Sequence, residues 1–230
     1  MNHAFLECRG LRKTFAVRGR AVAAVEPVDL TIHRSETVVI HGPSGAGKST
    51  LLGLLAGLER PSAGTISVDG NRLDLLSGAE LAAWRRRNVG FIFQDHNLLP
   101  GWTAEENVAA ALVGVGLARA ERRERARAAL EKLGLGSRLD HLPGELSVGE
   151  RQRVAVARAL VKKPALILAD EPTGDVDEAS GRLIVEQLLQ AARRPEAAMI
   201  VATHGDVRSE LAGRSFAMRS GTLIPDGPAG

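Results

Sequence analysis

The chain has 230 residues, of which 44% are apolar and 25% charged, the balance of an ordinary globular protein with room for a substantial core. Its formal net charge of +3 is too small to argue for nucleic acid as a partner. The single cysteine, Cys8, excludes an intrachain disulfide and a thiolate metal cluster and suits a reducing compartment.

Met1 to Glu7 has no basic segment followed by an apolar stretch, so no signal peptide is expected. The longest apolar run, Ala109 to Ala118, is well short of the ~20 residues that span a bilayer. Any membrane role therefore requires docking to another chain. Residues 4–9 and 22–32 read as short strands around a loop rich in Arg and Gly; Val28, Leu30 and Ile32 alternate with Asp29 and Thr31. Phe15, in that loop, suits either stacking on a nucleotide base or a place in the core.

Thr37 to Ile40 is a buried-strand pattern and Leu51 to Leu58 a helical one. Between them stands Gly42-Pro43-Ser44-Gly45-Ala46-Gly47-Lys48-Ser49-Thr50, a P-loop spacing in the strand, loop, helix setting that the motif requires. The glycines let several backbone N–H groups converge on one anion, and the following helix adds its positive end. Lys48 supplies a full charge for the β- and γ-phosphates, and the Ser49 hydroxyl is placed for Mg²⁺. The chain is thus expected to bind a nucleoside triphosphate.

A turn at 61–64, a strand at 65–68 and a helix from Ala79 to Trp84 follow. That helix runs into Arg85-Arg86-Arg87, read as a solvated helix end. The strand Val89 to Phe93 ends in Gln94, whose amide oxygen could ligate Mg²⁺ and sense the γ-phosphate. Helical patterns then take over across 98–161: Ala104 to Leu117, Arg119 to Leu133 with Gly134 as its cap, and a helix running to Val161. Ser147 and Glu150 form a capping box at the start of this last helix, whose N-terminus is a second candidate anion site beside the P-loop.

Beyond the insertion the α/β pattern returns. Ala165 to Ala169 is a buried strand ending in Asp170-Glu171, a helix runs from 179 to 193, and a strand from Ala198 to Ala202 ends at Thr203-His204. Such alternation indicates a mostly parallel sheet with ligands beyond the strands' carboxyl ends. Asp170 is the expected Mg²⁺ acid. Glu171 is the candidate base for the attacking water, and His204 a candidate partner of the γ-phosphate.

In order and approximate spacing, Gly42–Thr50, Gln94, Leu146–Arg153, Ala169–Asp177 and His204 resemble the Walker A, Q-loop, signature, Walker B with D-loop, and switch histidine of an ATP-binding cassette (ABC) ATPase. The resemblance covers nearly the whole chain and puts Phe15 where the family has its base-stacking aromatic. It implies a P-loop, RecA-like α/β core (1–97 and 162–230) with an N-terminal antiparallel β subdomain and an inserted helical subdomain (98–161). It also implies ATP and Mg²⁺ as cofactors. Two copies then meet head to tail, each ATP lying between one P-loop and the partner's Ser147, Val148, Gly149 and Glu150, with Asp177 at the seam. Closer likeness, in Gly90–Gln94, Asn97–Pro100, Thr103-Ala104, Glu106–Val108 and Ala169–Gly174, is to the lipoprotein-releasing and macrolide-exporter group. It implies a separate integral permease, a peripheral place on the cytoplasmic face of the inner membrane, and no nucleic-acid partner. The alternatives are a non-transport ABC ATPase of the cell-division type, or one acting on DNA or ribosomes. A kinase or GTPase is disfavoured by the signature stretch. The chain departs from the family pattern twice: Val148 replaces a glycine, which would be unfavourable if that site needs positive φ, and Asp175-Val176 replace Asn-Leu.

Overall fold

The computed structural model describes residues 3–204, 211 and 213–226. Strands β1 (Leu6–Val17) and β2 (Arg20–Ile32) form a long hairpin turned by Arg18 and Gly19, both at positive φ, as a two-residue hairpin turn requires. Residues 10–17 and 20–21, expected as loop, are therefore strand. The hairpin's outer half is exposed on both faces, leaving Phe15, Val17 and Val22 in solvent, so it carries no buried alternation to read. Strand β3 (Thr37–His41) and helix α1 (Lys48–Leu55) follow. Strands β4 (Ala63–Val68) and β5 (Asn71–Arg72) complete the antiparallel sheet, in the order β2-β1-β4-β5.

After α2 (Gly78–Asn88), whose last turn holds Arg85 to Arg87, comes β6 (Val89–Ile92). Helices α3 (Ala104–Ala110), α4 (Arg119–Lys132) and α5 (Val148–Leu160) then pack on one another. β7 (Leu166–Asp170), α6 (Glu178–Ala192), β8 (Ala198–Thr203), β9 (Arg214–Arg219) and β10 (Thr222–Pro225) complete the described chain. The second sheet has the order β10-β9-β3-β8-β7-β6 and is parallel except at β10. The helix expected across 104–117 stops at Ala110 and gives way to turns, with Gly114 and Gly116 both at φ 81. Two glycines two residues apart outweigh the apolar character of that run. Strands β9 and β10 were not anticipated at all.

The central strands are buried on both sides, which is why they read as unbroken apolar runs. Val38, Ile40, Leu166, Leu168, Ile200 and Ala202 point into a core shared with α1 and the antiparallel sheet. Their neighbours Val39, Ile167, Ala169, Met199 and Val201 point into a second core with α3–α6, the two-residue period of a strand dividing them. Cys8 lies in the first core at 2% exposure, and burial pushes its thiol pKa far above the usual value. No helix among the described residues is long and apolar enough to cross a membrane.

Candidate functional site

The P-loop leaves the carboxyl end of β3 and enters α1 at Gly47, whose φ is 104. Neighbouring backbone crowds this loop: a Cβ on Gly42 would lie 2.1 Å from the Met218 carbonyl oxygen, and one on Gly47 2.2 Å from that of Ala24. Only glycine fits at either place. Lys48 is 7% exposed. Its Nζ donates to the Gly42 and Pro43 carbonyls at 2.7 and 3.2 Å and lies 3.5 Å from Glu171 Oε1.

Ser44 through Thr50 line a cleft of about 450 Å³ together with Ala24, Gln94, Asp170, Glu171, Gly174, Asp175 and His204, a volume within the range of small-molecule sites. Residues from the ends of β3, β6, β7 and β8 thus converge, as expected at the carboxyl edge of a parallel sheet. Asp170 and Glu171 are each 7% exposed. Burial raises the pKa of Asp170; a hydrogen bond from the Ser49 hydroxyl opposes this, the Glu171 charge adds to it, Lys48 opposes it and Asp95 adds to it. Glu171 sits at φ 47, a strained conformation for a residue with a Cβ, of the kind that clusters at working sites. Its N–H donates to the Ala202 carbonyl at 2.9 Å, and its Oε2 accepts from the His204 N–H at 3.1 Å and lies 2.7 Å from His204 Nδ1. The two adjacent carboxylates therefore face different partners, Ser49 for one and Lys48 with His204 for the other.

Asp170 Oδ1 is buried without a hydrogen-bond partner. With the Ser49 hydroxyl and the Gln94 side-chain oxygen it offers a hard, all-oxygen donor set that fits Mg²⁺. The orphaned oxygen is the observation in favour, since a buried carboxylate oxygen ordinarily has a partner.

Phe15 is not among the lining residues. It lies on β1, 38% exposed, with Lys13 Nζ 4.8 Å from its ring centre, so the core alternative is excluded. Ser147, Val148, Gly149, Glu150 and Asp177 are also outside the cleft. Ser147 caps α5: its hydroxyl accepts from the Glu150 N–H at 3.1 Å, and Glu150 accepts from the Ser147 N–H at 2.8 Å and from Arg138 at 2.9 Å. These bonds, the Ser147 backbone donor foremost, lower the Glu150 pKa to about 2. Val148 is the first residue of the helix and has no positive φ. The strain foreseen for a β-branched side chain there is absent, because the position takes ordinary helical dihedrals. Gly149 packs on the start of α6, where Asp177 caps the helix by accepting from Ser180 N–H at 2.9 Å. A Cβ on Gly149 would lie 2.5 Å from Ser180 Oγ and 2.7 Å from Asp177 Oδ2.

The sequence assigns no individual role to several residues that hold these pieces together. Arg158 of α5 donates to the His96 and Asn97 carbonyls at 2.6 Å each, fastening the segment after Gln94 to the helix that begins at Val148. Arg153 donates to Ser180 Oγ, and Gln152 Nε2 to the Pro172 carbonyl at 3.0 Å. Asn107, fully buried, accepts from the Leu99 N–H at 2.8 Å and donates to the Leu99, Trp102 and Thr103 carbonyls. An arginine or asparagine inside a helical pattern gives no hint that its partner is a distant loop carbonyl.

A sequence-family model described as ABC transporter matches residues 25–174. The chain is 44% identical over 225 residues to the lipoprotein-releasing system ATP-binding protein LolD 2 of Chlorobaculum tepidum, covering 95% of this chain and 91% of the relative. It is 42% identical over 221 residues to LolD of Pseudomonas fluorescens (96% and 97% covered), and 40% identical over 220 residues to the uncharacterized ABC transporter ATP-binding protein YknY of Bacillus subtilis (96% and 95% covered). Among solved structures, a dimeric post-hydrolysis state of an ATP-binding cassette bound to ADP and Pi superposes with a TM-score of 0.92 at 33% identity, covering 98% of this chain and 99% of that one. By family match, sequence likeness and fold together, this chain belongs to the ABC transporter family as one of its ATP-binding cassette ATPases.

Proposed function

We propose that the protein is the ATP-hydrolysing subunit of a transporter, that two copies close head to tail around two ATP, and that this closure drives a separate integral permease. The observation that carries the reading is the division of the site residues. Lys48, Ser49, Gln94, Asp170, Glu171 and His204 share one cleft, whereas Ser147, Val148, Gly149, Glu150 and Asp177 lie outside it. A helix N-terminus of this kind suits an anion, and a second copy supplies the P-loop it would face. The solved relative is itself a dimer bound to ADP and Pi.

In this reading the P-loop N–H groups and Lys48 hold the β- and γ-phosphates. Ser49, Asp170 and Gln94 would hold Mg²⁺, which supplies charge neutralisation on those phosphates. Glu171 takes a proton from water as its oxygen attacks the γ-phosphorus and the bond to the β–γ bridging oxygen breaks, leaving ADP and phosphate. His204 orients Glu171 and the transferring group, and Phe15 stacks on the base. Segment 98–161 acts as the unit that presents the signature helix and meets the permease. The names of the LolD relatives favour export, or extraction of a lipoprotein or lipid-linked cargo, from the cytoplasmic face of the inner membrane, with no nucleic-acid partner.

Glu171→Gln should bind ATP, hydrolyse it slower by a factor on the order of 10²–10⁴, and elute as an ATP-dependent dimer in size-exclusion chromatography. Lys48→Ala should lose ATP binding. Near-normal turnover by a monomeric Glu171→Gln variant would overturn the assignment. Co-purification with a membrane protein rather than nucleic acid tests the transport reading.

A further inference from the structure

Hairpin β9–β10 and the residue after it lie outside the segment 25–174 matched by the family model, yet they grip the P-loop at both ends. Along β9, Met218 presses on the loop: besides the carbonyl against Gly42, its Cε would be 2.9 Å from a Cβ on Gly47. At the hairpin tip the Gly221 N–H donates to the Ala46 carbonyl at 2.9 Å, while the Gly221 carbonyl accepts from the Glu26 N–H at 2.9 Å. At the base the Asp226 carboxylate meets His41 Nε2 at 2.9 and 3.1 Å. His41 is the residue immediately before Gly42. Strand β9 lies between β3 and β10, so this bridge spans a whole strand, and the β9 residue in register with His41 is the small Ala217.

The Ala46 carbonyl and the Gly47 N–H belong to one planar trans peptide and point in opposite directions. A carbonyl held outward by Gly221 therefore turns the Gly47 N–H toward the cleft, as an anion-binding nest needs. Gly47 itself lines that cleft. A loop already held in its bound form spares the ligand the cost of ordering it.

We propose that the C-terminal hairpin is a positioning element for nucleotide binding: Gly221 acting through Ala46, and Asp226 acting through His41, hold the P-loop in its phosphate-binding form. The inference rests on the reading of Gly42–Thr50 as the phosphate cradle. The experiment measures binding of ATP and of inorganic tripolyphosphate by calorimetry in full-length Gly221→Ala, Asp226→Ala and Asp226→Glu variants, with kcat and KM for ATP alongside. Gly221 has φ 82, and a Cβ there would lie 3.2 Å from the Ala24 oxygen and the Glu26 nitrogen, so the alanine must disturb the tip. Gly221→Ala and Asp226→Ala should each weaken both ligands by a similar factor of about tenfold, the worth of one net hydrogen bond. KM should rise with kcat nearly unchanged, and Asp226→Glu should recover most of the loss. Affinities within about twofold of the parent, or a loss confined to ATP and absent with tripolyphosphate, would overturn the inference. If Gly221→Ala fails to fold, the Asp226 pair decides alone. Lys48→Ala separates the two readings: tripolyphosphate binding that survives it refutes the cradle, whereas binding lost there but kept in the hairpin variants refutes only the hairpin's role.

Discussion

Replacing Gly149 by alanine isolates the contact between the start of α5 and the start of α6. The added Cβ would stand 2.5 Å from Ser180 Oγ, against an ordinary contact of 3.4 Å, so about 0.9 Å must be found by moving something. Ser180 cannot yield cheaply: it is 1% exposed, its hydroxyl is held by Asp177 and Arg153, and its N–H is held by Asp177. The helix start must move instead. Overpacking of this size costs about 1–3 kcal/mol, and the better helix propensity of alanine returns up to about 1 kcal/mol. A net loss near 1 kcal/mol lowers Tm by roughly 2–4 °C in a chain of this length, readable by scanning calorimetry. On the proposed reading, in which the start of α5 faces a partner's phosphates, catalysis should suffer far more, since a displacement of about 1 Å there costs on the order of 10²-fold. ATP affinity of the monomer should stay within about twofold, a change of only ~0.4 kcal/mol, because Gly149 does not line the P-loop cleft. On a Ser180→Gly background the penalty of the alanine should shrink, as expected for side chains in contact. A Gly149→Ala variant that hydrolyses ATP within about threefold of the parent, or that loses monomer ATP binding along with its rate, would refute the reasoning.

Three further outcomes are expected. Val148→Gly should leave the ATPase rate nearly unchanged and lower Tm by a degree or two, about 0.5–1 kcal/mol, because no backbone strain exists there to be relieved; a large rise in rate would show that the exposed valine side chain obstructs the partner. Glu150→Gln keeps a capping-box acceptor for the Ser147 N–H but loses the carboxylate charge at the helix N-terminus and beside Arg138, an advantage of about 0.5–1 kcal/mol at neutral pH. Since the folded pKa of Glu150 is depressed to about 2, that advantage is complete above the ordinary carboxylate range and fades as pH falls toward 2, so the Tm values of parent and variant should converge on acidification. Asn107→Ala should cost about 2–3 kcal/mol in denaturant unfolding by orphaning the Leu99 N–H and carbonyl, and the segment between Gln94 and Thr103 should become protease-sensitive before the rest of the chain.

The cleft was legible because its chemistry is local. A P-loop, a strand ending in two acids, and a strand ending in histidine each announce themselves within a few residues, and the parallel sheet necessarily brings strand ends together. The capping box at Ser147 and Glu150 was equally plain, since its partners are three residues apart. What escaped was long-range or negative. The outer half of the β1–β2 hairpin is held by backbone pairing with little burial, so it looked like loop. The run after Ala110 was apolar enough to suggest helix, but Gly114 and Gly116 break it. Arg158 and Asn107 act on backbone carbonyls, which have no sequence identity to match. Val148 shows the opposite failure: the family pattern suggested a glycine requirement that helical dihedrals at this position do not impose.

Cys8 gives the molecule a built-in clock. Its thiol is buried where β1 pairs with both β2 and β4, and burial keeps it protonated at neutral pH. A thiol reagent attacks only thiolate, so labelling must wait for that sheet to open. With no competing cysteine in the chain, the rate of a single colour change reports the free energy of opening the antiparallel sheet. Measured with and without nucleotide, that rate would read how firmly an occupied cleft holds a sheet whose residue Ala24, on β2, forms part of its wall.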